Sequence, residues 1–217
     1  MRYLVFDTET TGLPARKSYD DYFDPTDLEK YDNSRLVSIA WVVYDGQVLI
    51  NKRYYVIKPE GFSINPRDKS TQIHGITQEI AEKEGRFVRH VLNEFYSDLL
   101  RVNQIVAHNL EFDRHIVLSE LHRLTQTEKS SESPQCKKCY DLLSRIQKFC
   151  TMKCGKNVTC IPSKYGNDYK YPKLNELHMH LFSVPVLNAH HALADVEACN
   201  NCFQILSGVR AKNVSCQ

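Results

Sequence analysis

At 217 residues, 42% hydrophobic and 25% charged, the chain has the length and composition of one sizeable domain with a full core. A formal net charge of only +2 excludes a strong overall field for drawing in nucleic acid, so a nucleic-acid partner needs local basic patches. No signal peptide precedes Asp7, and no apolar run approaches the roughly 18 residues of a spanning helix, so an intracellular, soluble protein with no membrane partner is expected.

The chain opens on Tyr3 to Phe6, a β-favouring apolar run that reads as a buried strand ending in Asp7 and Glu9. Side chains alternate along a strand, so these two acids face the same side, and Thr10-Thr11-Gly12 then turns the backbone away. Like charges held that close repel unless a cation lies between them. Residues 14–34 have no period and read as a surface loop. Leu36 to Tyr44, Asp45-Gly46 and Val48 to Ile57 read as strand, turn and strand. A loop follows, reaching Gln72-Ile73-His74-Gly75-Ile76-Thr77.

Thr77 is placed to cap a short helix stopped by Gly85, and the apolar spacing from Phe87 to Leu100 predicts an amphipathic helix over 86–101. Gln104 to Ala107 reads as a brief strand, His108-Asn109 as a corner with Asn109 as N-cap, and Leu110 to Leu124 as helix. Residues 125–138 read as a second surface loop and Tyr140 to Gln147 as a short helix, while Lys153 to Tyr171 has no clear signal. Leu174 to Phe182 and His191 to Leu206 close the chain as helices. The whole, 1–217, reads as a single α/β domain.

Five of the eight cysteines fall between Cys136 and Cys160. Cys136-x-x-Cys139 with Cys150, Cys154 and Cys160 offers enough thiolates for zinc, but the spacing after Cys139 does not repeat Cys-x-x-Cys within that window, Cys199-x-x-Cys202 falls inside the last helix where both pack, and no structural zinc is expected.

Four acids stand out by context. Asp7 and Glu9 end the first strand, and Asp113 and Asp195 lie in the first turns of two helices. Either helical aspartate alone is accounted for by the helix dipole. Taken as a set, four oxygen donors without cysteine suit a hard cation such as Mg²⁺ or Mn²⁺. His190, five residues ahead of Asp195, is placed to take a proton from water.

Asp7-Thr8-Glu9-Thr10-Thr11-Gly12, Ala107-His108-Asn109-Leu110-Glu111-Phe112-Asp113 and His190-His191-Ala192-Leu193-Ala194-Asp195 resemble, in order and spacing, the three motifs of the DEDDh 3′→5′ exonucleases. The resemblance spans about residues 1 to 206 and implies a ribonuclease H-like fold, a mixed five-stranded sheet flanked by helices. It implies two Mg²⁺ or Mn²⁺ ions held by Asp7, Glu9, Asp113 and Asp195, with Asp7 shared, and His190 as general base; His191 is one residue off the family spacing. It also implies that Thr8, Thr10 and Leu13 contact the terminal sugar and base, that His74 and Phe112 line the same pocket, and that Asn109 lies near the scissile phosphate. For Leu13 and Phe112, core packing is the plain alternative, as a solvated basic face is for Lys164, Lys170 and Lys173.

The expected function is release of 5′-mononucleotides from the 3′ end of nucleic acid, single-stranded DNA favoured and RNA possible, with a separate polymerase or repair complex as protein partner. The rivals are an RNA-trimming enzyme of the same fold and a binding module without catalysis; the presence of all four acids and the histidine argues against the second.

Overall fold

The computed structural model describes residues 1–18, 21–127, 133–164, 166, 168–187 and 192–209. Its strands are β1 (Arg2–Thr10), β2 (Arg16–Ser18), β3 (Asp21–Tyr22), β4 (Leu36–Asp45), β5 (Val48–Val56), β6 (Gln104–Ala107) and β7 (Gln147–Cys150). Its helices are α1 (Lys69–His74), α2 (Gln78–Glu84), α3 (Val88–Leu99), α4 (Leu110–Thr127), α5 (Ser133–Arg145), α6 (Thr151–Thr159), α7 (Leu174–Phe182) and α8 (Ala192–Leu206).

Five strands form one mixed sheet in the order β5-β4-β1-β6-β7. The hairpin partners β4 and β5, and β1 with β4, run antiparallel, whereas β1 with β6 and β6 with β7 run parallel. Alternation sorts the central residues between two cores. Leu4 and Phe6 join Ile39, Trp41 and Val43 on the face covered by α3, α4 and α5. Tyr3 and Val5 join Ala40 and Val42 on the opposite face, against Ala192, Val196, Cys199 and Phe203 of α8.

Two buried polar contacts set the helices against the sheet. Trp41 Nε1 donates to Asp98 Oδ2 of α3 at 2.9 Å. On the α8 side, the Tyr3 hydroxyl lies 3.0 Å from Asn200 Oδ1 and accepts from Gln204 Nε2 at 3.1 Å. Each such bond is worth about 1 kcal/mol net, and leaving one of these buried groups unpaired costs more. Their positional effect is to hold α8 in register with β1, which fixes where the first turn of α8 meets the end of that strand.

The elements differ from the sequence expectation in four places. Residues 14–34, expected as a loop without order of its own, carry the β2–β3 pair and a 3₁₀ turn at Leu28–Tyr31. Tyr22 and Tyr31 are buried there, Tyr31 donating to the Phe23 carbonyl at 2.5 Å; isolated aromatic anchors leave no period to read. The loop expected at 125–138 is helical at both ends, since α4 runs to Thr127 and α5 starts at Ser133. Cys136, Cys139 and Leu143 of α5 join the core as its apolar stripe, and discounting cysteine as a hydrophobe hides that period. Gln147–Cys150, of which only Gln147 was expected, as the end of a helix, is the fifth strand, and α6 runs into the stretch without clear signal that begins at Lys153. Finally, α1 forms within the stretch expected as a loop, ended by Gly75 at φ 72°.

Candidate active site

The parallel pairing of β1 with β6 ends at Val5 and Val106, so Asp7, Thr8 and Glu9 extend past their neighbour on that side. Across the other edge Asp7 pairs with Ala40 and Glu9 with Ser38, and a register shift follows at once between Glu9 and Thr10. Asp7 and Glu9 share the face of Tyr3 and Val5, the face α8 covers. Asp195 enters from the first turn of that helix. Ligand atoms of Asp7, Glu9 and Asp195 all lie within 4.8 Å of one another.

Asp113 reaches the site from the first turn of α4, on the other side of the sheet, and is buried. Its Oδ1 accepts from the Thr8 backbone N–H at 2.9 Å and from the Thr8 hydroxyl at 2.8 Å. The structure thus brings all four sequence-predicted acids to the end of β1, three as a tight group and Asp113 anchored on Thr8.

Electrostatics reflects the crowding. Burial holds the Asp7 carboxyl far above the usual range, and the charges of Asp113, Glu9 and Asp195 push it further. Glu9 is raised to about 8 by burial, then by Asp195 and Asp113. Asp113 is raised by burial, against the opposing pull of its two Thr8 hydrogen bonds. Such a set is strained as bare carboxylates, and a cation relieves it. The fit is good: oxygen donors spread over 4.8 Å match the span of ligands around one hard divalent ion at about 2.0–2.6 Å from each.

Beside Glu9 opens a cleft of about 930 Å³. Thr8, Thr10, Leu13 and Phe112 line it, as the sequence predicts, together with Arg35, Phe62 and Ile73, which the sequence does not flag. Gly12 forms part of the wall, where a Cβ would meet the Asn33 carbonyl at 2.7 Å, so the turn after β1 has room for glycine alone. Ile73, next to His74, lines the cleft; the His74 Nδ1 accepts from Ile76 N at 3.0 Å, and burial lowers its pKa against the opposing effect of the Thr10 backbone beside it. Asn109, expected as an N-cap, adopts φ 67°, and its Nδ2 approaches the Tyr22 hydroxyl at 3.5 Å. A left-handed residue makes the sharp corner between β6 and α4, and asparagine tolerates that conformation better than most.

His108 is a holding residue. It is pulled down to about 4 by burial, so it is neutral, and its ring bridges Thr151 Oγ1 and the Pro172 carbonyl, each at 3.0 Å. Of the lysines, Lys170 is committed to Glu176 at 2.6 Å, while Lys164 is exposed. Cys136, Cys139 and Cys199 pack in the cores. His190 and His191 lie outside the described residues.

A mixed five-stranded sheet flanked by helices, with carboxylates converging at the end of its central strand, is the arrangement of a ribonuclease H-like fold. The chain matches the RNase_T exonuclease family over residues 4–203 and belongs to it. It is 26% identical over 132 residues to the DNA polymerase III subunit epsilon of Rickettsia conorii, covering 59% of this chain and 47% of that protein, and 28% identical to its Rickettsia prowazekii counterpart, covering 59% and 48%. The chain therefore spans about half the length of the curated relatives it matches. Among solved structures, E. coli exonuclease I in complex with a dT13 oligonucleotide superposes with a TM-score of 0.60 at 17% identity, covering 95% of this chain and 42% of that one. Exonuclease X in complex with 5′ overhanging duplex DNA gives 0.52 at 21% identity, covering 97% and 95%.

Proposed function

We propose that this chain hydrolyses single-stranded DNA from its 3′ end, releasing 5′-mononucleotides, with two Mg²⁺ or Mn²⁺ ions held by Asp7, Glu9, Asp113 and Asp195. The observation that carries the reading is the convergence of Asp7, Glu9 and Asp195 within 4.8 Å, with Glu9 also lining the adjoining cleft. When bound, such ions about 3.5–4 Å apart supply charge for the attacking and leaving oxygens of an in-line phosphoryl displacement.

The protein's own groups do the rest. Thr8 holds Asp113 in one rotamer, so that ligand is preorganised. Leu13, 70% exposed at the cleft rim, and Phe112 offer apolar surfaces to the terminal nucleotide, and Thr10 and the Gly12 turn shape its floor. His190 takes the proton from the attacking water, its spacing to Asp195 matching the family pattern. His108 is excluded from that role because burial keeps both of its nitrogens in structural hydrogen bonds. Stacking and backbone contacts give little sequence preference, as trimming requires. The relation to epsilon subunits supports a separate polymerase or repair complex as partner. The E. coli exonuclease I complexes with dT13 and dA16 support single-stranded DNA as substrate.

The test is to incubate matched 5′-labelled single-stranded DNA and RNA with Mg²⁺, Mn²⁺ or EDTA. Shortening from the 3′ end with either metal, faster on DNA and absent in EDTA, is expected. No shortening with either metal would sink the enzymatic reading, and faster loss of RNA would overturn the choice of substrate.

A further inference from the structure

The wall of the cleft that the motifs do not account for is built from Arg35 and Phe62. The Arg35 guanidinium lies over the Phe62 ring, 4.5 Å from its centroid. Its Nε and Nη2 donate to the two oxygens of the buried Glu120 on α4 at 2.7 and 3.1 Å. This side-on fork fixes the plane of the guanidinium and leaves Nη1 on the edge away from Glu120.

The backbone of Arg35 is fixed as well. Its N–H donates to Thr11 Oγ1 at 2.9 Å and its carbonyl accepts from Thr11 N at 3.0 Å. The turn that leads to Leu13 therefore holds Arg35 at a set position in the cleft wall. A guanidinium pinned by Glu120 and held over an aromatic ring is a preorganised pair of planar groups, and nucleobases stack on guanidinium and aromatic planes alike.

We propose that Arg35 and Phe62 are binding residues for the nucleobase of the terminal nucleotide, with Glu120 as the residue that positions Arg35. The inference rests on the exonuclease reading and deepens it: the site takes a planar base at the 3′ end, and so distinguishes a base-bearing end from one that has lost its base.

The test compares two 5′-fluorescent single strands, one ending in thymidine and one in a reduced abasic residue, bound to the full chain in EDTA and followed by anisotropy. The wild-type chain is expected to bind the base-bearing strand about tenfold tighter, within the range of base stacking on aromatic groups. Phe62→Leu, which keeps apolar volume, and Arg35→Lys, which keeps charge but gives up the two-pronged pairing with Glu120, are each expected to bring that ratio to about twofold or less, with the abasic strand bound as by wild type. A full ratio in both variants, or none in wild type, would overturn the inference; shortening of the thymidine-ended strand in Mn²⁺ would then leave the exonuclease reading standing. A strand neither bound nor shortened would overturn both.

Discussion

Thr8 donates twice to one oxygen of Asp113, through its backbone N–H at 2.9 Å and its hydroxyl at 2.8 Å. The contact joins the strand that carries Asp7 and Glu9 to the helix that carries Asp113, across the gap left where β6 stops pairing. Thr8→Val removes one hydrogen bond to a carboxylate at little change in volume. A bond of that kind is worth about 1.5–3 kcal/mol, so the metal concentration for half-maximal cleavage is expected to rise about tenfold or more. A metal titration of the initial rate checks it, with melting temperature as the control for folding.

The raised carboxyls make metal-free stability fall with pH. Glu9, at about 8, and Asp7 and Asp113, also raised, hold protons in the folded state that the unfolded chain has already released. Their contribution is therefore present at low pH and lost as pH rises through the folded values, from about pH 5 to about pH 8. In EDTA the melting temperature of wild type is expected to decline over that window more steeply than that of Glu9→Gln. Added Mn²⁺ should raise the wild-type value more at the alkaline end, where the ligands are already ionised. Equal metal-induced shifts at both ends would contradict the assignment.

His190→Ala is expected to lower turnover by about 10²–10⁴-fold without changing the melting temperature, and to remove one limb of the pH–rate profile. His191→Ala should leave most of the activity. Single-turnover rates across pH distinguish the two, and the reverse result would transfer the base to His191.

Glu120 is nearly fully buried, and besides Arg35 it accepts from Leu36 N at 3.2 Å. Removing it strands a largely buried guanidinium and a backbone donor. Glu120→Ala is expected to cost about 3–5 kcal/mol. For a chain of this size that is a fall of about 10 °C in melting temperature, which calorimetry reads directly.

Much of the acidic cluster was legible in the sequence because its signals are local. The alternation through Asp7, Thr8 and Glu9 requires only that β1 be a strand, and the first-turn positions of Asp113 and Asp195 require only that α4 and α8 begin where their apolar periods do. The cleft was legible in part. Leu13 and Phe112 lie within motifs, but Arg35, Phe62 and Ile73 converge from β4's entry, a loop and α1, and nothing in their spacing records that meeting. The strand β7 was hidden because Gln147–Cys150 is short and lies at the sheet edge with little alternation. His74 and Asn109 have local duties that their motif positions do not record: His74 accepts from Ile76 within its own loop, and Asn109 makes the left-handed corner into α4.

The central claim is that Asp7, the acid whose charge is most hemmed in by its neighbours, is the ligand both ions share. Asp7→Asn keeps the side-chain size, so the measurement is the single-turnover rate of this variant on 5′-labelled single-stranded DNA at saturating Mn²⁺, beside its melting curve. The account predicts a folded protein whose cleavage is slower by about 10³-fold or more, the loss of several kcal/mol of transition-state stabilisation. A folded variant turning over near the wild-type rate would contradict it.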